Sequence, residues 1–379
     1  MRVSGKNKTH THCNPVAWVT VLFLSWTGIH CGSKGPASDQ AMVIGTGSHP
    51  IPGGYYTVSI QDHEVKFRSS INWYSLCRSD PVTGRLFIIH GTESGLVQVV
   101  DPYDWKVASE YSVGEYTWAR DIAVVSPERA YVARHIEKEL LIVHPTEGTE
   151  LGSVDLSAWA DPDGEANPAW MVHHDGKVYV ALERLWAGDP YEYSSIVVID
   201  GPTGDVEAEI QFSYLKENMK LRFSQALNRV VVGIQNGTSG GLKTINPSNN
   251  TLSDWILREQ DLGGAIMDAV ILSETKGYAI FGSSEPRPDF WGGVFLIAFN
   301  PSTGEQTATI REYLSSGGLF MELTPDGSQL WTTDSGEEES KGAGVRVFDT
   351  ETDTEITDTA ISINKIPSMI CFAPSGEDH

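Results

Sequence analysis

Cysteine is scarce in this chain of 379 residues, with only Cys13, Cys31, Cys77 and Cys371. No two are adjacent and none begins a Cys-x-x-Cys-His run. That excludes a covalently attached c-type haem and an adjacent-cysteine quinone cofactor. His-Glu-x-x-His is also absent, and with it the usual helical zinc motif. Basic charge is thin: 27 Lys and Arg stand against 50 Asp and Glu, for a net −23. Such a surface repels phosphate backbones and anionic lipid, so no nucleic-acid partner is expected. Helix signals are nearly missing. The best, "YLKENMKL" (Tyr214–Leu221), is too short to build a fold on.

Long apolar runs are scarce too, apart from one. "VAWVTVLFLSWTGI" (Val16–Ile29) follows Arg2, Lys6 and Lys8, with no acid in the first thirty residues. This is the n-region and h-region of an export leader, too short to span a bilayer. "HCGSKGPASDQ" comes next, and Cys31 is the expected lipidation site. His30 replaces the small residue that normally precedes such a cysteine, so a leader cut nearby, for example after Ala37, is the alternative. Residues 1–30 thus read as a lipoprotein-type signal peptide and 31–40 as a flexible tether. The expected location is the outer membrane or periplasm by lipid anchor, or outside the cell. The anchor would be the only membrane contact.

What is abundant is turn chemistry, with 37 Gly and 19 Pro. Polar turns follow short apolar runs along residues 41–379. They begin at Asp62, Asp101, His144, Asp200, Asn246, Asn300 and Asp349, behind "TVSI", "LVQVV", "ELLIV", "SIVVI", "LKTI", "FLIAF" and "VRVF". Asp or Asn opens these turns because its side chain can bond the backbone two residues on. Gly closes them where φ must be positive. The spacing of roughly 40–55 residues is that of a propeller blade.

A second signal has the same period. "WYSLCRSDPVTGRLFII" (Trp73–Ile89) returns as "RDIAVVSPERAYVA", "AWMVHHDGKVYVA", "LRFSQALNRVVVG", "DAVILSETKGYAI" and "MELTPDGSQLWTT". Each is a strand, a tight turn and a more apolar strand. The expected fold is therefore all-β: a seven-bladed β-propeller of four-stranded antiparallel blades, with strands A to D running outward. "AMVIGTG", "YYTVSIQ" and "EVKFRSS" supply B, C and D of the first blade, and "SMICFA" (Ser368–Ala373) near the C-terminus supplies its innermost strand. That closure leaves no open edge. "VEAEIQF" alternates as an outermost strand should.

Cys77 and Cys371 then fall on inner strands of neighbouring blades. A disulfide between them would lock the ring, and two buried thiols serving as small hydrophobes are the alternative.

The chain from Ala41 onward resembles the YncE-like, YVTN-type bacterial seven-bladed propellers, which are grouped near the quinoprotein amine dehydrogenase β-chain. "WARDIAVVSPERAYVARHIEKELLIVHPTEGTELGSVDLSAWADPDGEANPAWMVHHDGKVYVALERLW" and "TPDGSQLW" carry the resemblance. It is particularly similar to secreted lipoproteins of myxobacteria-like organisms. "YVAR", "YVAL" and "YAIF" stand where a strict YVTN would be. The resemblance implies the fold; relatives include binding proteins without a common ligand.

The expected site is one face. The D–A and B–C loops gather Trp118, Trp159, Trp170, Trp186, Tyr191, Tyr193, Phe290 and Trp291 among acids. Aromatic rings with carboxylates suit sugars, cationic groups or peptides. Arg120, Asp121, Arg222, Asp268 and Glu322 fall on inner strands, where they would pair across the channel or meet a ligand. "DPDGE" (Asp161–Glu165) reads as an acidic turn rather than a calcium loop, and His173 and His174 as turn residues. No catalytic residue, metal cluster or cofactor is assigned. The expected function is binding of a glycan, a peptide or an envelope protein by a monomer. The alternatives are an enzyme of lactonase or quinoprotein type, which the scaffold permits, and a structural protein of the surface.

Overall fold

The structure is a computed structural model. It describes residues 39–47, 51–91, 93–183, 193–213, 219–235, 239–284, 293–313, 320–336 and 342–374. Cys31, Trp186, Tyr191, Phe290 and Trp291 lie outside them, as do residues 1–30, expected to be a leader, and most of the expected tether.

Seven antiparallel sheets form, six with four strands and one with an additional short strand. The innermost strands, from the first blade to the seventh, are Ile366–Phe372, Ser75–Asp80, Ala119–Ser126, Pro168–His174, Met219–Ser224, Gly264–Ser273 and Met321–Leu323. Each touches the next, and the seventh returns to the first. The closure is as the sequence predicts: Ala41 faces Phe372 and Ile44 faces Met369 in register. No described helix is long and apolar enough to cross a membrane. The one described α-helix is the single turn Glu259–Leu262. Met219–Leu221, the end of the best helical stretch, is inner strand instead, because its pairing with Val232–Ile234 outweighs local preference.

Burial follows blade logic. Leu86, Phe87, Ile88 and Ile89 are wholly buried because sheets cover both faces of their strand. The outer strand Val206–Ser213 alternates, with Ile210 and Phe212 buried and Glu209 and Gln211 exposed, although Val206 at its start is open to solvent.

The C–D turns share one geometry. In all seven, the residue four places after the opener donates its N–H back to the opener's carbonyl. That residue is left-handed each time: Gly148, Gly204, Gly304, Asn250, Asp353, Trp105 and His63. Asp101, Asn246, Asn300 and Asp349 accept the N–H two residues on, as expected. His144 does the same work with Nδ1, three residues on. The first copy opens at Ser59 rather than Asp62, since His63 bonds back to Ser59. Asp62 instead accepts the N–H of Glu64 inside the turn.

Tyrosines join the blades. Tyr131 of the third blade donates to the Gly201 carbonyl in the fourth blade's turn at 2.7 Å. Tyr179 reaches Asn250 at 3.1 Å, and Tyr278 reaches the Thr350 carbonyl and the Asp353 carboxylate. These are the tyrosines of "YVAR", "YVAL" and "YAIF".

Candidate functional site

The inner strands bring four of the five predicted charges, Asp121, Arg222, Asp268 and Glu322, into ion pairs lining the channel, with Arg78 and Lys220 as partners the sequence did not single out. Arg78 grips Asp121 with Nε and Nη2. Arg222 holds Glu322 at 2.5 Å and Asp268 at 3.1 Å, and Lys220 lies 3.7 Å from Asp268. Asp121 also accepts the N–H of Met171 at 2.7 Å, and Asp268 that of Met321 at 3.0 Å. The two halves are pseudo-equivalent: an arginine, an aspartate on the next blade, and a backbone N–H on the blade after that. Burial alone would raise the Asp268 carboxyl, but Arg222, Lys220 and two backbone N–H groups hold it below the usual range. Burial pushes the Lys220 ammonium down.

Trp170 sits on the inner strand Pro168–His174 rather than in a loop. Its ring lies in the channel, 6.2 Å from that of Phe320, with the Arg78 guanidinium 5.0 Å above it. Lys220 Nζ sits 3.8 Å from the Phe320 ring. Below this aromatic and ionic belt lies a cavity of about 460 Å³, whose wall includes Asp80, His173, Leu323 and Pro374. These residues are at the A–B turn end, opposite the expected face. Cys77 and Cys371 line it as buried free thiols. His173 and His174 end their strand, and His174 stacks on Phe223 at 3.6 Å.

The predicted face carries a separate pocket. Trp118 and Arg120 converge there with Trp73, Tyr74, Gly91 and Glu93 around a hollow of about 290 Å³. The D–A loops before the second and third blades supply Trp73, Tyr74 and Trp118. The B–C loop of the second blade supplies Gly91 and Glu93. Trp73 is 39% exposed and Trp118 48%. Arg120 therefore parts from its neighbour Asp121: its Nη1 donates to the Tyr74 hydroxyl at 2.9 Å. Arg120 Nε is buried with no hydrogen-bond partner among the described residues.

Several features hold this pocket open. A Cβ at Gly91 would come within 2.8 Å of the Tyr74 ring, so only glycine lets that ring lie where it does. Trp118 has φ +51° and Tyr116 φ +60°, a costly backbone for bulky side chains. The loop is pinned by Tyr116 N–H to Glu93 and by His135 N–H to the Trp118 carbonyl. Burial, with Arg120 nearby, pushes the His135 imidazole down to about 4.

Sequence reading missed Trp73 and Tyr74 because the repeat placed them within an A-strand unit rather than a loop. It also passed over "GTSGG" (Gly237–Gly241), which fits Gly-x-Ser-x-Gly. That stretch joins the strands Arg229–Ile234 and Gly241–Asn246 of one sheet, whereas a nucleophile elbow needs a strand-to-helix turn. "DPDGE" is a hydrogen-bonded turn, Gly164 N–H to Asp161 and Glu165 N–H to Asp163. Among the described residues, no three His, Cys, Asp or Glu side chains stand close enough to hold a metal ion. Trp159 is half-buried against its blade core.

A closed ring of seven such sheets makes the protein a seven-bladed β-propeller. No family model matches the chain, and no curated protein matches it in sequence. Solved propellers do match in shape. Dihydro-heme d1 dehydrogenase NirN superposes with a TM-score of 0.56 at 15% identity, over 91% of this chain and 78% of that one. Hydrazine synthase of Kuenenia stuttgartiensis gives 0.57 at 13% identity, over 86% and 99%. AztD of Citrobacter koseri gives 0.54 at 11%, over 90% and 99%. At such identities the likeness shows the fold alone.

Proposed function

We propose that the protein is a ligand-binding propeller of the cell envelope, of the YncE-like, YVTN type, and that it takes a sugar ring in the pocket between the second and third blades. One observation carries this reading: Trp73, Tyr74 and Trp118 surround a 290 Å³ hollow whose polar groups are Arg120 and Glu93. Flat apolar faces with a polar rim match a pyranose, whose C–H face stacks on indole while its hydroxyls need donors and acceptors. Arg120 and Glu93, which line the hollow, are the donor and acceptor for such hydroxyls. On this reading residues 1–30 are a leader and Cys31 carries a lipid anchor outside the cytoplasm; palmitate labelling lost in Cys31→Ser tests that separately.

The binding test is a glycan array run beside a peptide array on purified protein. A glycan signal that falls at least tenfold, about 1.4 kcal/mol, in Trp118→Ala and in Trp73→Ala is expected. Trp186→Ala and Trp291→Ala probe the rest of the face. Binding that survives both pocket changes, or peptide signal alone, overturns the sugar reading.

A further inference from the structure

Three sulfur side chains meet where the ring closes. Cys77 lies on the inner strand Ser75–Asp80 of the second blade. Met369 and Cys371 lie on the closing strand Ile366–Phe372, two residues apart and so on one face of it. The Cys77 N–H stands 3.2 Å from Met369 Sδ. Cys77, Met369 and Cys371 are packed in one buried cluster between the first and second blades. All three side chains line the central cavity, and both thiols are free.

Two thiols and a thioether make a soft donor set. Hard cations want oxygen, and zinc wants four ligands of nitrogen, sulfur or oxygen; copper(I) is selected by thiolate and thioether sulfur. We propose that Cys77, Cys371 and Met369 form a site for one copper(I) ion, reached from the channel cavity. Binding replaces the two thiol protons: Cu⁺ and two S–H groups give a bis-thiolate copper(I) centre of charge −1 and release two protons, with no change of oxidation state. Met369 Sδ completes the set as a neutral third donor. Arg78, Lys220 and Arg222 line the same cavity, and so do Asp80 and Glu322. Because two protons leave when the ion binds, copper(I) is held more tightly as pH rises.

The site would also tie the closing strand to the second blade, so copper(I) should raise the melting temperature. The test titrates the reduced full-length protein with copper(I), under anaerobic conditions, against a chromophoric copper(I) chelator. One copper(I) per chain is expected. Cys77→Ala and Cys371→Ala should each weaken binding about a hundredfold or more, and Met369→Leu about tenfold. Because leucine keeps the core volume, a Met369→Leu protein with unchanged melting in the absence of metal separates loss of ligand from loss of fold. The melting temperature should rise with copper(I) in the wild type and not in the double alanine variant. The proposal is overturned if the wild type holds no more copper(I) than that double variant, if Met369→Leu binds as the wild type does, or if the cysteines form a disulfide that reductant does not reopen.

Discussion

His135 shows what one buried side chain does to the whole. Its imidazole is pushed down to about 4 by burial, beside Arg120, against about 6.5 in an unfolded chain. Between those values the unfolded chain binds a proton that the folded one refuses. Stability is therefore full above about pH 6.5 and falls as pH drops towards 4, by about 3 kcal/mol at most. Glu183, raised by burial, works the other way at acid pH, so the variant difference is the clean measurement. Urea unfolding from pH 7 to 4.5 should show a shallower acid loss in His135→Gln than in the wild type. Equal slopes would mean that His135 titrates normally. His135, Arg120 and Trp118 were one "GEYTWARD…ARH" neighbourhood in the sequence, yet only Trp118 and Arg120 were legible as site residues. Nothing local says that the His135 backbone anchors the Trp118 loop, because that bond joins a B-strand end to a D–A loop.

At the scale of the element, the tyrosines of the B strands do what the repeat alone could not reveal. Tyr131, Tyr179 and Tyr278 each donate across a blade boundary to the neighbouring C–D turn. The Tyr278 hydroxyl is held protonated by burial and by Asp353. Tyr278→Phe should cost about 1 kcal/mol, since it removes one donor from the Thr350 carbonyl and from Asp353, where Lys276 Nζ remains. Thermal unfolding of this variant beside Tyr103→Phe, whose ring is exposed, checks it; equal melting of the two would contradict the staple. The turns themselves were readable, because an Asx opener and a Gly closer are local chemistry. Their first copy was misregistered by three residues because Ser59 can open the same turn, and a hydroxyl is a weaker signal than a carboxylate.

The whole molecule depends on the closing strand. Ile366–Phe372 buries Met369, Ile370, Cys371 and Phe372 and covers the edge of Gln40–Thr46. Deleting residues 366–379 should cause aggregation and loss of a cooperative transition rather than a small fall in melting temperature. Light scattering with circular dichroism decides it, and a truncated monomer that melts as the full chain does would count against closure as the main constraint. Period, turn chemistry and apolar runs determined the blade number, the strand order and this closure from the sequence alone, since each is a local or periodic property of the chain. Only the tertiary structure decided which loop residues form a pocket, that Trp170 fills the channel, that Arg120 and Asp121 serve different places, and that three sulfurs meet. Those outcomes depend on which side chains of different blades face one another, and neighbours in space around a ring can be tens to hundreds of residues apart in the chain.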